Sequence, residues 1–181
     1  MTTQAPPRVT TQVYRVYISA TPQAIWDAIT RPEWSQRYGY GGFVEYDGFD
    51  PASRYRARPS EEMKAAGAAM GAPTPDIVID GEVIEADPPR RLVQTWRMLM
   101  DPGTVAEGFT RLTYEIAEGQ GGVSRLTLTH ELDSAPKLAA ILSGAAEDEG
   151  AGGGWAWVLS DLKSLLETGS RMAPTDGSDE G

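Results

Sequence analysis

The chain is predicted to fold as one α+β domain, a curved antiparallel sheet of about seven strands gripping a long C-terminal helix, with two short helices after the first strand. Three observations predict it. From Trp155 to Gly169 the sequence WAWVLSDLKSLLETG puts Trp155, Val158, Leu159, Leu162, Leu165 and Leu166 on one helical stripe. Ser160, Asp161, Lys163, Ser164 and Glu167 fall on the other side, where solvent is expected. Between Arg54 and Leu132, apolar and polar residues alternate in short runs separated by turn signals such as Asp87-Pro88-Pro89-Arg90 and Gly119-Gln120-Gly121-Gly122. Sequential antiparallel strands joined by such turns form a meander, and a strongly one-sided helix needs that sheet to cover it.

The elements follow in order. Val13 to Ile18 is a β-branched and aromatic run, and it ends at Thr21-Pro22, a cap followed by a proline at the first helical position. Helix one therefore runs from Pro22 to about Thr30 with Ile25, Trp26 and Ile29 inward, and Pro32-Glu33-Trp34 opens a second short helix. Tyr38 to Phe43 leads into strand two. Strand three, Arg54 to Arg58, alternates three arginines with Tyr55 and Ala57, so the arginines are expected on a solvated outer face. Strands four to seven are placed at Ile77–Ala86, Leu92–Met100, Gly108–Ala117 and Val123–Leu132. Two further helical stretches, Ser60 to Met70 and Pro136 to Ala146, interrupt the plan, either as packing elements or as a lid over a cavity. Residues 1–11 are expected to be a flexible N-terminus, 12–170 the domain, and 171–181 a disordered acidic tail rich in Gly, Ser, Pro and Asp.

Composition narrows function. A chain of 181 residues can bury roughly 70% of its unfolded surface, so a real core is feasible. There is no cysteine, which removes disulfides, thiolate nucleophiles and Cys-ligated metal. A net charge of −10, with no basic run to offset it, opposes nucleic acid and anionic lipid surfaces. Neither a signal segment nor a membrane-length apolar run is seen, and a soluble cytoplasmic protein is expected. Catalytic signatures are sparse: one histidine, no Gly-x-Ser-x-Gly elbow, no HExxH and no EF-hand loop. The run Gly150-Ala151-Gly152-Gly153-Gly154 lacks the Lys-Ser/Thr ending of a phosphate loop and follows three acids. No cofactor and no metal are expected, and whether there is a protein partner is left open by the sequence.

Strand phase selects the residues that would line a cavity. Leu126, Leu128 and His130 share a face in strand seven, Leu112 and Tyr114 in strand six, and Trp96 and Met98 in strand five, all looking toward the helix that carries Trp155 and Leu159. Trp34, Tyr38, Tyr40 and Phe43 approach from the second helix as an aromatic mouth. The tryptophans serve either as ordinary core or as walls for a flat, mostly apolar ligand. His130, on an apolar face, is either a hydrogen-bonded structural residue or a polar contact and proton donor to that ligand. It is the one candidate catalytic residue.

The segments VYRVYISATPQAIWDAITRPEW (Val13–Trp34), DGEVIEADPPRRLVQTW (Asp80–Trp96), RLTYEI (Arg111–Ile116), RLTLTHEL (Arg125–Leu132) and the closing GWAWVLSDLKSLLETG resemble the START-like (SRPBCC) superfamily. Within it they are most similar to the branch of activator of Hsp90 ATPase homologue 1-like proteins. The resemblance implies the helix-grip fold shared with Bet v 1-like proteins, with an apolar cavity between sheet and helix. It implies binding, sequestration or transport of a hydrophobic small molecule, polyketide- or lipid-like, as in START-like proteins of actinomycete enediyne and polyketide pathways, where antibiotic biosynthesis or self-resistance is served. A polyketide cyclase, dehydratase or hydrolase using His130, with Tyr114 or Glu131 nearby, is one alternative. A co-chaperone module acting on Hsp90 is another, though the Hsp90 activator pairs this domain with an additional N-terminal one and here about twelve residues precede the first strand. The Ser60–Met70 insert and the acidic, Gly-rich approach to Trp155 depart from compact members and are expected to reshape the cavity mouth.

Overall fold

A computed structural model describes residues 11–173. Its seven strands are β1 (Thr11–Ile18), β2 (Phe43–Tyr46), β3 (Arg54–Arg58), β4 (Ile79–Asp87), β5 (Arg91–Met98), β6 (Thr110–Glu118) and β7 (Ser124–Glu131). They form one antiparallel sheet in the order β1-β7-β6-β5-β4-β3-β2. β2 to β7 are a meander, and β1 closes the sheet against β7 with Gln12 opposite His130 and Tyr14 opposite Leu128. The strand ends expected from sequence shift by only a residue or two at most termini.

Helices α1 (Pro22–Thr30) and α2 (Pro32–Ser35) follow β1. The Thr21 hydroxyl accepts the Ala24 N–H at 3.1 Å and Pro22 opens the helix, the arrangement the sequence signals. Ile25, Trp26, Ala28 and Ile29 then enter the core. At the other end α6 (Gly154–Thr168) buries Trp155, Leu159, Leu162 and Leu165, while Val158 and Leu166 pack at the margin. Gly154 opens α6 at φ +66°, and a Cβ there would collide with the Leu142 carbonyl oxygen, so a side chain is excluded at this close approach.

Asp161 corrects the expected solvent face of this helix. It is 1% exposed, and its carboxylate accepts the Gly39 N–H at 2.8 Å and the Met172 N–H at 2.6 Å, with the Arg171 guanidinium 3.6 Å away. An acid survives there because these donors replace its water. Arg171 and Met172, assigned by sequence to the disordered tail, are thus tied to the body, and Arg171 also donates to the Gly39 carbonyl at 2.8 Å. Thr11, assigned to the flexible N-terminus, pairs with Glu131. The rest of the expected N-terminal segment, up to residue 10, and the expected tail from residue 174 onward lie outside the described residues.

The inserts behave differently from one another. α3 (Glu61–Ala69) is capped by Ser60, which accepts the Met63 N–H at 3.1 Å, but none of its residues is buried and Met70 beyond it is 78% exposed. α5 (Pro136–Leu142) is shorter than expected and buries Leu138 and Leu142 in the main core, as a packed element rather than a loose cover. A further helix, α4 (Pro102–Glu107), occupies the connection between strands five and six, where the sequence signalled no element. Asp101 caps it by accepting the Thr104 N–H at 3.1 Å, and Pro102 occupies its first turn. On the outer face of the sheet Arg56 pairs with Glu45 and Asp47, and Arg58 pairs with Glu45, the solvated face expected for β3.

Candidate functional site

The inner face of the sheet is built in cross-strand rows. One row runs Val83, Gln94, Leu112, His130 and Gln12; the next runs Leu92, Tyr114, Leu128 and Tyr14. Alternation along each strand puts all of these on the face that α1 and α6 cover.

His130 is fully buried, and each of its ring nitrogens is committed. The Trp155 indole N–H donates to His130 Nδ1 at 3.1 Å. Because Nδ1 accepts, the neutral ring carries its proton on Nε2, which lies 2.7 Å from Thr110 Oγ1. The Thr110 hydroxyl in turn donates to the Trp96 carbonyl at 2.9 Å. Burial holds the His130 pKa down to about 3, so the chain of donors stays in this neutral form. The Trp96 ring meets the imidazole edge-on at 5.2 Å, and Trp155 sits 6.0 Å from both. Both ring nitrogens of His130 are thus engaged within the core, by Trp155 and by Thr110, beside the Trp96 ring.

Of the other residues expected to line a cavity, Leu112, Leu128 and Leu159 are buried core. Trp34, Tyr38, Met98 and Tyr114 pack against that core while remaining partly accessible. Tyr40 is 46% exposed and leans on the Gly152–Gly154 approach to α6. Phe43 is a correction. It pairs with Arg58, and Val44 and Tyr46 are the residues of β2 that pack inward, so Phe43 shares the outer face with Glu45.

Tyr114 is the informative member. Its row neighbours Leu92 and Leu128 are 0% exposed, yet Tyr114, in the same row on a central strand, keeps accessible surface. Packing around Tyr114 is therefore less complete than around its two leucine neighbours. Burial still raises the Tyr114, Tyr38 and Tyr46 hydroxyl pKa values, and these phenols lie close enough for ionisation of one to oppose that of the others. Tyr38 donates to the Ala28 carbonyl at 3.0 Å and Tyr46 to Gln94 Oε1 at 2.8 Å. The Tyr114 hydroxyl makes no hydrogen bond among the described residues.

Sequence reasoning missed Tyr46, Tyr55 and Gln94. Tyr46 stacks between Phe49 and Tyr55, each 5.0 Å away, and Phe49 continues to Trp26 at 5.4 Å. On the far side of this ladder a groove of about 370 Å³ opens between α1, α2 and β2, lined by Trp26, Asp27, Arg31, Glu45, Tyr46 and Phe49 among others. Asp27 and Arg31 pair with each other there, and Glu45 is held by Arg56 and Arg58. A glutamine in phase with Leu92 and Trp96 was the available signal for Gln94. Among the described residues no cluster of three or more His, Cys, Asp or Glu could hold a metal, and no helix is long and apolar enough to cross a membrane.

Solved structures share this architecture. MLL2253 from Mesorhizobium loti matches with a TM-score of 0.58 at 19% identity over 86% of this chain and 96% of its own. DynU16, a protein of the dynemicin biosynthetic locus, matches at 0.58 and 18% identity over 90% of this chain, which spans 49% of DynU16. PFC0360w, described as an HSP90 activator from Plasmodium falciparum, matches at 0.56 and 15% identity over 87% of this chain and 96% of its own. At these identities the likeness establishes the START-like fold. No curated protein sequence matches the chain. The family model for activator of Hsp90 ATPase homolog 1-like proteins aligns with residues 19–167, from the turn after β1 nearly to the end of α6. Since that alignment takes in six of the seven strands, nearly all of α6 and most of the sequence, the chain belongs to the activator of Hsp90 ATPase homolog 1-like family.

Proposed function

We propose that this domain binds a flat, mostly apolar small molecule in the interior of the grip, against Tyr114, Tyr38, Trp34 and Met98. The observation that carries the proposal is the partial accessibility of Tyr114 between two fully buried leucines. A central inner-face position gains accessible surface only where packing leaves room, and aromatic walls suit a flat apolar guest. The likeness to DynU16, a protein of the dynemicin biosynthetic locus, is in keeping with a polyketide-like guest, and sequestration or transport is the purpose we propose for its binding. Catalysis is the weaker reading, because proton transfer at His130 would require breaking its bonds to Trp155 and Thr110. Action on Hsp90 draws on the family name and on the likeness to PFC0360w, and no side-chain arrangement favours it.

The test is a titration with fluorene, a rigid tricyclic hydrocarbon, followed by calorimetry and by intrinsic fluorescence. Saturable one-to-one binding with a negative heat-capacity change, and quenching reduced by Trp34→Phe, is expected. Absence of saturable binding would reject the proposal.

A further inference from the structure

Gln94 is an amide where an apolar residue would be expected. It is 2% exposed, and Val83 and Leu112 beside it in the row are 1% and 0% exposed. Its Oε1 accepts the Tyr46 hydroxyl proton at 2.8 Å, which fixes the orientation of the amide. The Nε2 group, with its two N–H donors, donates to nothing among the described residues. Arg171 Nε is the sealed polar atom without a partner among the described residues, so Gln94 Nε2 keeps a trace of accessible surface and its N–H groups are free to meet a guest.

Tyr114 supplies the second donor. Leu92 is paired with Tyr114 and Gln94 with Leu112, so Gln94 and Tyr114 are diagonal neighbours on one face, about 7 Å apart and within reach of one small group placed between them. Tyr46 joins them from β2 through its bond to Gln94. The Tyr114 phenol keeps its proton, since burial disfavours its ionised form. The patch thus offers N–H and O–H donors and no charge, in apolar walls of Val83, Leu92, Leu112 and Leu128. A charged guest would lose its hydration there without a counter-ion. A hydrocarbon would leave the donors unpaired. A neutral oxygen acceptor satisfies both.

Resting on the binding reading above, we infer that the interior site selects molecules bearing a carbonyl-type oxygen on an otherwise apolar ring system, with Gln94 Nε2 and Tyr114 Oη donating to that oxygen. Both are specificity-determining contacts.

The probes are 9-fluorenone and fluorene, which share a ring system and differ by a carbonyl in place of a methylene. The native protein is expected to bind fluorenone on the order of tenfold more tightly than fluorene. Tyr114→Phe and Gln94→Met should each reduce that ratio by about three- to fivefold, and the double variant should bring it near one. Infrared spectroscopy of fluorenone bound to the native protein gives an independent readout, with the carbonyl stretch lowered relative to fluorenone in an alkane. Equal affinity for the two probes, an unshifted carbonyl stretch, or a preference that survives in the double variant would overturn the inference while leaving interior binding intact. Failure of both probes to bind would overturn the binding reading and the inference with it.

Discussion

Replacing His130 by glutamine changes the pH dependence of stability by an amount the structure sets. In the unfolded chain a histidine titrates near pH 6.5, whereas burial in the folded protein lowers its pKa to about 3. Between those values the unfolded state binds a proton that the folded state refuses, so stability falls as pH falls through this window. Each pH unit is worth about 1.4 kcal/mol, which gives a loss of about 2 kcal/mol between pH 7.5 and pH 5 from this one group. Most carboxylates are still ionised at pH 5, so the interval is comparatively free of their titration. Urea unfolding at a series of pH values, for the native protein and for His130→Gln, reads the difference directly. Glutamine keeps a donor and an acceptor but no titrating group, so the variant should be less stable at pH 7.5 and lack the 2 kcal/mol decline, on that order. Parallel pH profiles for the two proteins would refute a neutral, fully committed imidazole.

Three further outcomes follow from packing and hydrogen bonding. Leu162→Ala, at a side chain 1% exposed in the core, should cost about 2–5 kcal/mol, and Lys163→Ala on the open side of α6 less than about 1, both read by chemical denaturation. Asp161→Ala removes the acceptor for two backbone N–H groups and should cost about 3 kcal/mol; a loss below about 0.5 kcal/mol would show that the clasp on Gly39 and Met172 is dispensable. In hydrogen exchange α3, which buries no residue, should lose protection well before α5 and α6, which share the main core. Equal protection of α3 and α6 would contradict its peripheral placement.

Much of this fold is legible from period alone. The α6 stripe and the alternation in β5, β6 and β7 put the correct side chains inward because each element is long and one-sided. Where a polar residue lies on an inward phase, pattern reading discounts it. Gln94 lies two residues from Leu92 and from Trp96, and Asp161 lies three after Val158 and four before Leu165, so both spacings indicate an inner position. Their identity hides it, since the partners that make burial tolerable come from β2, from the Gly39 loop and from Met172. Phe43 fails in the opposite sense: a short strand behind two glycines has no strong phase of its own, and Glu45 beside it was the better guide to the outer face. α4 was missed because Asp101-Pro102 reads equally as a turn or a helix start. The twelve residues proposed from sequence as cavity lining are thus a mixture, of which Tyr38, Trp34, Met98 and Tyr114 pack on the core while staying partly accessible.

The most direct test of interior binding is the map of chemical-shift changes in isotope-labelled protein on addition of fluorenone. The account predicts that the largest shifts fall on the Gln94 side-chain amide and on the backbone amides of Leu92, Leu112 and Tyr114, with the Trp34 indole N–H also affected. Shifts confined to the outer groove around Gln23, Asp27 and Phe49, or scattered over exposed residues, would contradict it.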